Sequence, residues 1–224
     1  MSEENKTTVT GQEAPAAEAI KKEAPKKSSA QLNSKHLQGK DLINIGIYTA
    51  IYFVVVMAVA MLGYIPIFLV LLVVLVPLVG SIPIMLYITK IKKFGMIWIS
   101  SIIMGILMIL TGMTWMPIIV CAITGLIAEL ILKRGDYNSP THAVFANAVF
   151  HFWCWGNYLP LFLQREAYFA DCSSYGPEYV TTVNSLLPNW MAPVLLVVCF
   201  VCGIAGGYLG KLILKKHFTK SGIV

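Results

Sequence analysis

Residues 65–89 read IPIFLVLLVVLVPLVGSIPIMLYIT, and Lys90, Ile91, Lys92 and Lys93 follow. The run carries no charged side chain and exceeds the ~20 residues that a helix needs to cross the hydrocarbon core of a bilayer. A helix on the surface of a soluble domain would present a polar face. This one has none, so apolar surroundings are needed on every side. The lysines that end it mark an aqueous boundary. Pro77 and Pro83 lie inside the run, and a kink or break is expected near Gly80-Ser81.

Five further apolar segments lie outward from this one, at 42–62, 95–114, 115–133, 142–164 and 190–214. Folded as six spans, they leave both termini on one side. Lysines in the first forty residues, Lys90, Lys92, Lys93, Lys133, Arg134 and the lysines from Lys211 onward then share that side. Of 17 Lys and Arg residues only Arg165 falls opposite, beside Glu166, Asp171 and Glu178. Positive charge is retained on the cytoplasmic face. The expected fold is therefore all-α: a polytopic membrane protein with six transmembrane helices and both termini inside.

Composition agrees with this. The chain has 224 residues, 57% hydrophobic and 12% charged, with a mean hydropathy of +0.73. An ordinary soluble domain is excluded. The net charge of +6 sits at helix ends and in the N-terminal tail, where it serves topology and anionic lipid rather than nucleic acid. Residues 1–40 lack an apolar signal region and are rich in Lys, Glu, Ala and Pro, so a disordered cytoplasmic tail is expected there. The membrane domain then covers 41–216, and 217–224 form a short second tail. Cys199-x-x-Cys202 lies in an apolar helix without His or acidic neighbours and reads as small buried residues rather than a metal or redox site. Cys172 has no partner cysteine in the outer loop, so no disulfide framework is implied.

Local signals refine the spans. Asp41 is expected to cap the first helix. Gly46-x-x-x-Ala50, with Ala58 and Ala60 further along, puts small residues on one face, where a second helix can approach closely. The third span repeats the device with Ser101, Gly105 and Gly112, and the sixth with Gly203, Gly206, Gly207 and Gly210. Trp115 suits an interfacial anchor. Gly135 to Pro140 reads as a turn, with Ser139 as N-cap and Pro140 in the first helical position.

Asn147, His151, Trp155 and Tyr158 recur at helical spacing along the fifth span, and Trp153, Asn157 and Gln164 enrich the same region. Polar groups at membrane depth must face protein or a cavity. One reading makes them hydrogen-bonded packing between helices, and Asn147 is assigned to it. The other lines an outward pocket with Trp155, Asn157, Tyr158 and His151, with Trp115 added from the neighbouring turn and the aromatic segment 165–188 as its cover. The acids of that segment either attract a cationic solute or simply solvate the loop. Glu129 is the one acid inside a span. A structural pairing, with Lys133 or near Asn147 and His142, is preferred to a proton-coupling role. No catalytic constellation, metal motif or phosphate-binding loop occurs, so no enzyme activity, cofactor or metal site is expected and any ATP coupling belongs to a partner.

The order of several motifs is similar to that of a known group. Lys40-Asp41-Leu42-Ile43-Asn44-Ile45-Gly46 opens the first span, and Lys92-Lys93-Phe94-Gly95 precedes the third. Gly125-Leu126-Ile127-Ala128-Glu129-Leu130-Ile131 and Gly135-x-Tyr137 follow, then Tyr158-Leu159-Pro160. Over roughly 38–216 the chain resembles the substrate-binding S components of energy-coupling factor (ECF) transporters, and among them the Trep_Strep family. The resemblance implies a six-helix bundle in the bacterial plasma membrane. It also implies an outward pocket for a vitamin- or micronutrient-like solute, and docking on a transmembrane T subunit that carries two ABC ATPases. Docking in such proteins uses an Ala-x-x-x-Ala face on the first helix. Here Gly46, Ala50 and Ala58 stand in its place. The alternative is a stand-alone secondary transporter or channel.

Overall fold

In the computed structural model, residues 37–90 and 93–215 are described. The tail through residue 36 and the segment beyond 215 lie outside them, and so do the tail expectations. Among the described residues every element is helical. The elements are α1 (Gly39–Ala60), α2 (Pro66–Lys90), α3 (Met96–Leu110), α4 (Met116–Arg134), α5 (Pro140–Phe150), α6 (Phe152–Gly156) and α7 (Leu159–Leu163). They continue with α8 (Arg165–Asp171), α9 (Pro177–Leu186) and α10 (Met191–Ile213).

Four helices are long and apolar enough to cross a bilayer: α1 with the 3₁₀ turn that extends it to Tyr64, α2, α4 and α10. The other two expected spans differ. The third is helical for only 15 residues, because Gly112 takes a left-handed φ of 90° and turns the chain. The fifth is divided among α5, α6 and α7. Conversely, α2 runs unbroken through Pro77 and Pro83. The Ser81 hydroxyl donates to the Pro77 carbonyl, one of the local adjustments that let proline persist in an apolar helix.

The helix starts follow from their polar groups. Ser139 accepts from the His142 backbone N–H at 3.4 Å, with Pro140 in the first helical turn, as expected. Asp41 is not the first cap. The helix begins two residues earlier, and the Asp41 carboxylate accepts from the Gln38 backbone N–H at 2.8 Å and from Lys93 Nζ at 2.6 Å. That salt bridge ties the start of α1 to the approach to α3.

Small residues set the packing. α10 lies against α2 and α5. A Cβ on Gly206 would stand 2.5 Å from the Pro77 carbonyl oxygen, and one on Gly203 would stand 2.7 Å from Ala148 Cα. The two Gly-x-x-x-Gly pairs are therefore filled within the chain. At their centre the Asn147 amide donates to Ser81 Oγ at 2.7 Å and to the Gly203 carbonyl at 2.8 Å. Asn147 thus joins three helices, as its assignment to packing requires. In α3, Ser101 and Gly105 meet α4 at Gly125 and Ile118, and Ser101 Oγ donates to the Cys121 carbonyl at 2.7 Å.

Glu129 has its own role in this packing. It is 0% exposed and does not pair with Lys133, Asn147 or His142. Its carboxylate accepts from the backbone N–H groups of Ile97 at 3.0 Å and Trp98 at 3.4 Å, and from the Tyr137 hydroxyl at 2.7 Å. Ile97 and Trp98 are in the first turn of α3, where N–H groups have no intrahelical partner. Glu129 on α4 therefore caps α3 from across the bundle, with its negative charge at the positive end of the helix dipole. Lys133 instead lies over the Phe94 ring, 5.1 Å from its centroid.

Tyr137 reaches Glu129 because the turn after α4 bends sharply. The positive φ values fall on Asp136 (47°) and Tyr137 (55°), not on Gly135. A tyrosine in this region is strained, and its hydrogen bond to the buried carboxylate offsets the cost. Burial, and then that hydrogen bond, raise the phenol above its ordinary pKa, so it remains a donor. Tyr137→Phe should cost about 2 kcal/mol, which thermal melting in detergent would register as a fall of about 4–8 °C. A variant that melts with the wild type would show that the bond does not hold the turn.

Candidate functional site

The division of the fifth segment creates the site. Pro160 has no N–H to give to the preceding turn, and the chain tightens before it. Asn157 N–H bonds the Cys154 carbonyl at 3.2 Å and Tyr158 N–H bonds the Trp155 carbonyl at 2.9 Å, each three residues back. His151 marks an earlier irregularity between α5 and α6, where Nδ1 lies 2.8 Å from the Asn147 carbonyl. Past these points the polar residues no longer share one helix face.

A cavity of ≈ 470 Å³ opens at this end of the bundle, within the usual size of a small-molecule site. Its floor takes Val56, Leu72, Val76 and Met108 from α1, α2 and α3, with Trp153, Asn157 and Tyr158 from the divided segment. The turn between α3 and α4 contributes Thr111 and Thr114. The stretch 165–188 folds as α8, a 3₁₀ turn and α9, and brings Tyr168, Asp171, Cys172, Tyr175 and Tyr179 over the space. This segment is held from both ends. Tyr179 donates its hydroxyl to the Gly63 carbonyl at 3.0 Å. The Arg165 guanidinium bonds the Asn184 side chain at 2.7 Å, the Leu187 carbonyl at 2.9 Å and the Asn189 side chain at 3.1 Å. Arg165, the one cation assigned to this side, is thus occupied within the segment.

The wall chemistry is aromatic and weakly acidic. Tyr64, Tyr175 and Tyr179 form a chain of ring contacts at 5.8 and 5.2 Å between centroids. Burial pushes Tyr179 up to about 12 and also raises Cys172 and Tyr168. All three stay protonated at neutral pH. Among the described residues Asp171 is the one charged residue in the lining. The cysteines are free thiols.

Of the residues expected to line a pocket, Asn157 and Tyr158 do so. Trp155, His151 and Trp115 are not in the lining. Trp155 donates its indole N–H to the Ala192 carbonyl of α10 at 2.8 Å. His151 is fully buried against Tyr52, their rings 5.8 Å apart. Trp115 is 59% exposed, a position that suits an interfacial ring, while its neighbour Thr114 reaches the cavity. The sequence sets Trp153 only among the residues that enrich the region. It lines the cavity and is positioned by its indole N–H, which donates to the Tyr52 hydroxyl at 2.8 Å. The other proposed surface lies on the outside of α1. Gly46, Ala50 and Ala58 are all exposed there, and a Cβ on Gly46 would meet nothing within 4 Å.

Long apolar helices packed through glycine, with lysine-bearing ends joined at one pole and a cavity at the other, define a helical membrane protein. The chain belongs to the Trep_Strep family, described as hypothetical bacterial integral membrane protein (Trep_Strep), whose model matches residues 39–220. No curated protein and no solved structure matches the chain.

Proposed function

We propose that this chain is the solute-capturing subunit of an ECF-type importer in the bacterial plasma membrane. It crosses six times with both termini in the cytoplasm, receives a small vitamin- or micronutrient-like solute at the outer face, and docks on a T subunit bearing two ABC ATPases. The observation that carries this reading is the covered cavity at the pole opposite the lysine-bearing helix ends. Under the positive-inside rule that pole faces outward. The short α3 and the divided α5–α7 segment fit the same reading, because irregular backbone at membrane depth is tolerated where it lines a cavity. The exposed small residues of α1 add a face without an internal partner. Glu129 supplies no coupling charge, since its oxygens are committed to α3 and Tyr137.

Gentle solubilisation of host membranes, capture of the tagged chain and mass spectrometry test the assembly. A T-type membrane subunit with two ABC ATPases is the expected result. Recovery of the chain alone would overturn the importer reading in favour of a stand-alone secondary transporter.

A further inference from the structure

Resting on the capture reading, the hydrogen-bond inventory of the cavity narrows the solute. Four of the lining residues spend donors on the protein. Tyr158 gives its hydroxyl hydrogen to the Leu69 carbonyl at 2.6 Å, and Tyr179 gives its own to the Gly63 carbonyl at 3.0 Å. The Trp153 indole N–H is held by Tyr52 at 2.8 Å. The Asn157 amide N–H donates to the Trp153 carbonyl at 3.1 Å, which leaves the amide oxygen turned the other way. The Asn157 acceptor is not used in the same manner. Asn157 Oδ1, which can only accept, and Thr114 Oγ1, a hydroxyl that can accept or donate, are both buried without a hydrogen-bond partner, and both residues line the cavity. A buried polar atom left unpaired is costly, and a ligand that donates would relieve the cost.

Charge points the same way. Among the described residues no Lys, Arg or His lines the cavity, and Asp171 stands at its exposed rim. The aromatic walls offer the negative ring faces that attract cations. An anionic solute would meet the Asp171 carboxylate at the rim and, among the described lining residues, no cation.

We propose that the cavity takes a small organic cation whose charge is carried by N–H groups, a protonated amine or amidine on an apolar or aromatic body. The N–H groups satisfy Asn157 Oδ1 and Thr114 Oγ1, the body packs on Trp153 and Tyr158, and Asp171 favours entry of positive charge.

Matched probes test this on the purified full-length protein in lipid nanodiscs. Tryptamine, indole-3-ethanol and indole-3-propionate share one ring body and differ in charge. Binding is read by calorimetry at millimolar probe. Tryptamine should bind at least about tenfold more tightly than the alcohol, and the acid should not bind. Asp171→Asn should weaken tryptamine several-fold and leave the alcohol unchanged, and Asn157→Leu should weaken tryptamine further. Melting temperatures confirm that both variants remain folded. Equal or tighter binding of the alcohol or the acid overturns the cation assignment while leaving solute capture standing. Failure of all three probes overturns the cation assignment as well. The importer reading is judged separately, by co-purification of the T subunit and ATPases.

Discussion

Glu129→Ala should destabilise the folded protein by about 3–5 kcal/mol, the range for removing one member of a buried charged network. The change strands two backbone N–H groups at the start of α3 and the Tyr137 hydroxyl, all of which bond the carboxylate. It also removes a negative charge from the positive end of a helix dipole. Glu129→Gln should cost less, about 1–3 kcal/mol, because one amide oxygen still accepts from α3 while the amide N–H group faces a hydroxyl that can turn to accept. Unfolding of each variant from mixed micelles by denaturing detergent gives the comparison. The order alanine, glutamine, wild type identifies Glu129 as a cap. A glutamine variant as stable as wild type, with proton-linked flux lost in liposomes, would make it a coupling carboxylate and reverse this assignment.

The capping role shows what a sequence can and cannot reveal. That Glu129 is an acid inside an apolar segment is visible at once. Its partners are not, because Ile97 and Trp98 lie more than thirty positions away and bond through their backbones. Helical spacing points to Lys133, which lies over Phe94 instead. Signals that act over three or four residues read well. Ser139 with Pro140 gives the start of α5, and four of the apolar runs are helices of spanning length. The sequence alone puts Asp41 at the cap, whereas it sits in the first turn, since an acid is favoured at both positions.

The site was legible to the degree that one uniform helix was a fair approximation. Extending the period of 3.6 residues through 142–164 aligned Asn147, His151, Trp155 and Tyr158. In the structure Asn147 and Trp155 bond α10, His151 packs on Tyr52 and Tyr158 bonds α2. Asn157 and Tyr158, three and two residues before Pro160, reach the cavity. Trp153 does so from α6, held by the bond from its indole N–H to the Tyr52 hydroxyl. The cover was recognisable only as an aromatic stretch. Its attachment to Gly63, 116 residues from Tyr179, has no local signal.

Two sets of small residues make the final prediction, and they should respond in opposite ways. Gly206→Leu places a side chain where a single Cβ would already lie 2.5 Å from the Pro77 carbonyl and from Ser81 Oγ. A helix backbone cannot give way as a side chain end can, so α10 must separate from α2, also straining the Asn147 bonds to Ser81 and Gly203. The cost should be at least about 3 kcal/mol, seen as loss of the monodisperse protein in gel filtration. Gly46→Leu with Ala50→Leu adds bulk to a face where Gly46 has nothing within 4 Å and where Ile43 and Val54 are already 64% and 66% exposed. Its stability should stay within about 0.5 kcal/mol of wild type. On the proposed importer reading the T subunit nonetheless disappears from the purified complex, because close approach of two helices requires small residues at their contact. If the α1 variant keeps its T subunit, that face is not the docking surface. If instead it fails to fold, α1 is packed on a side where the chain leaves it bare, and the arrangement of the bundle itself would need revision.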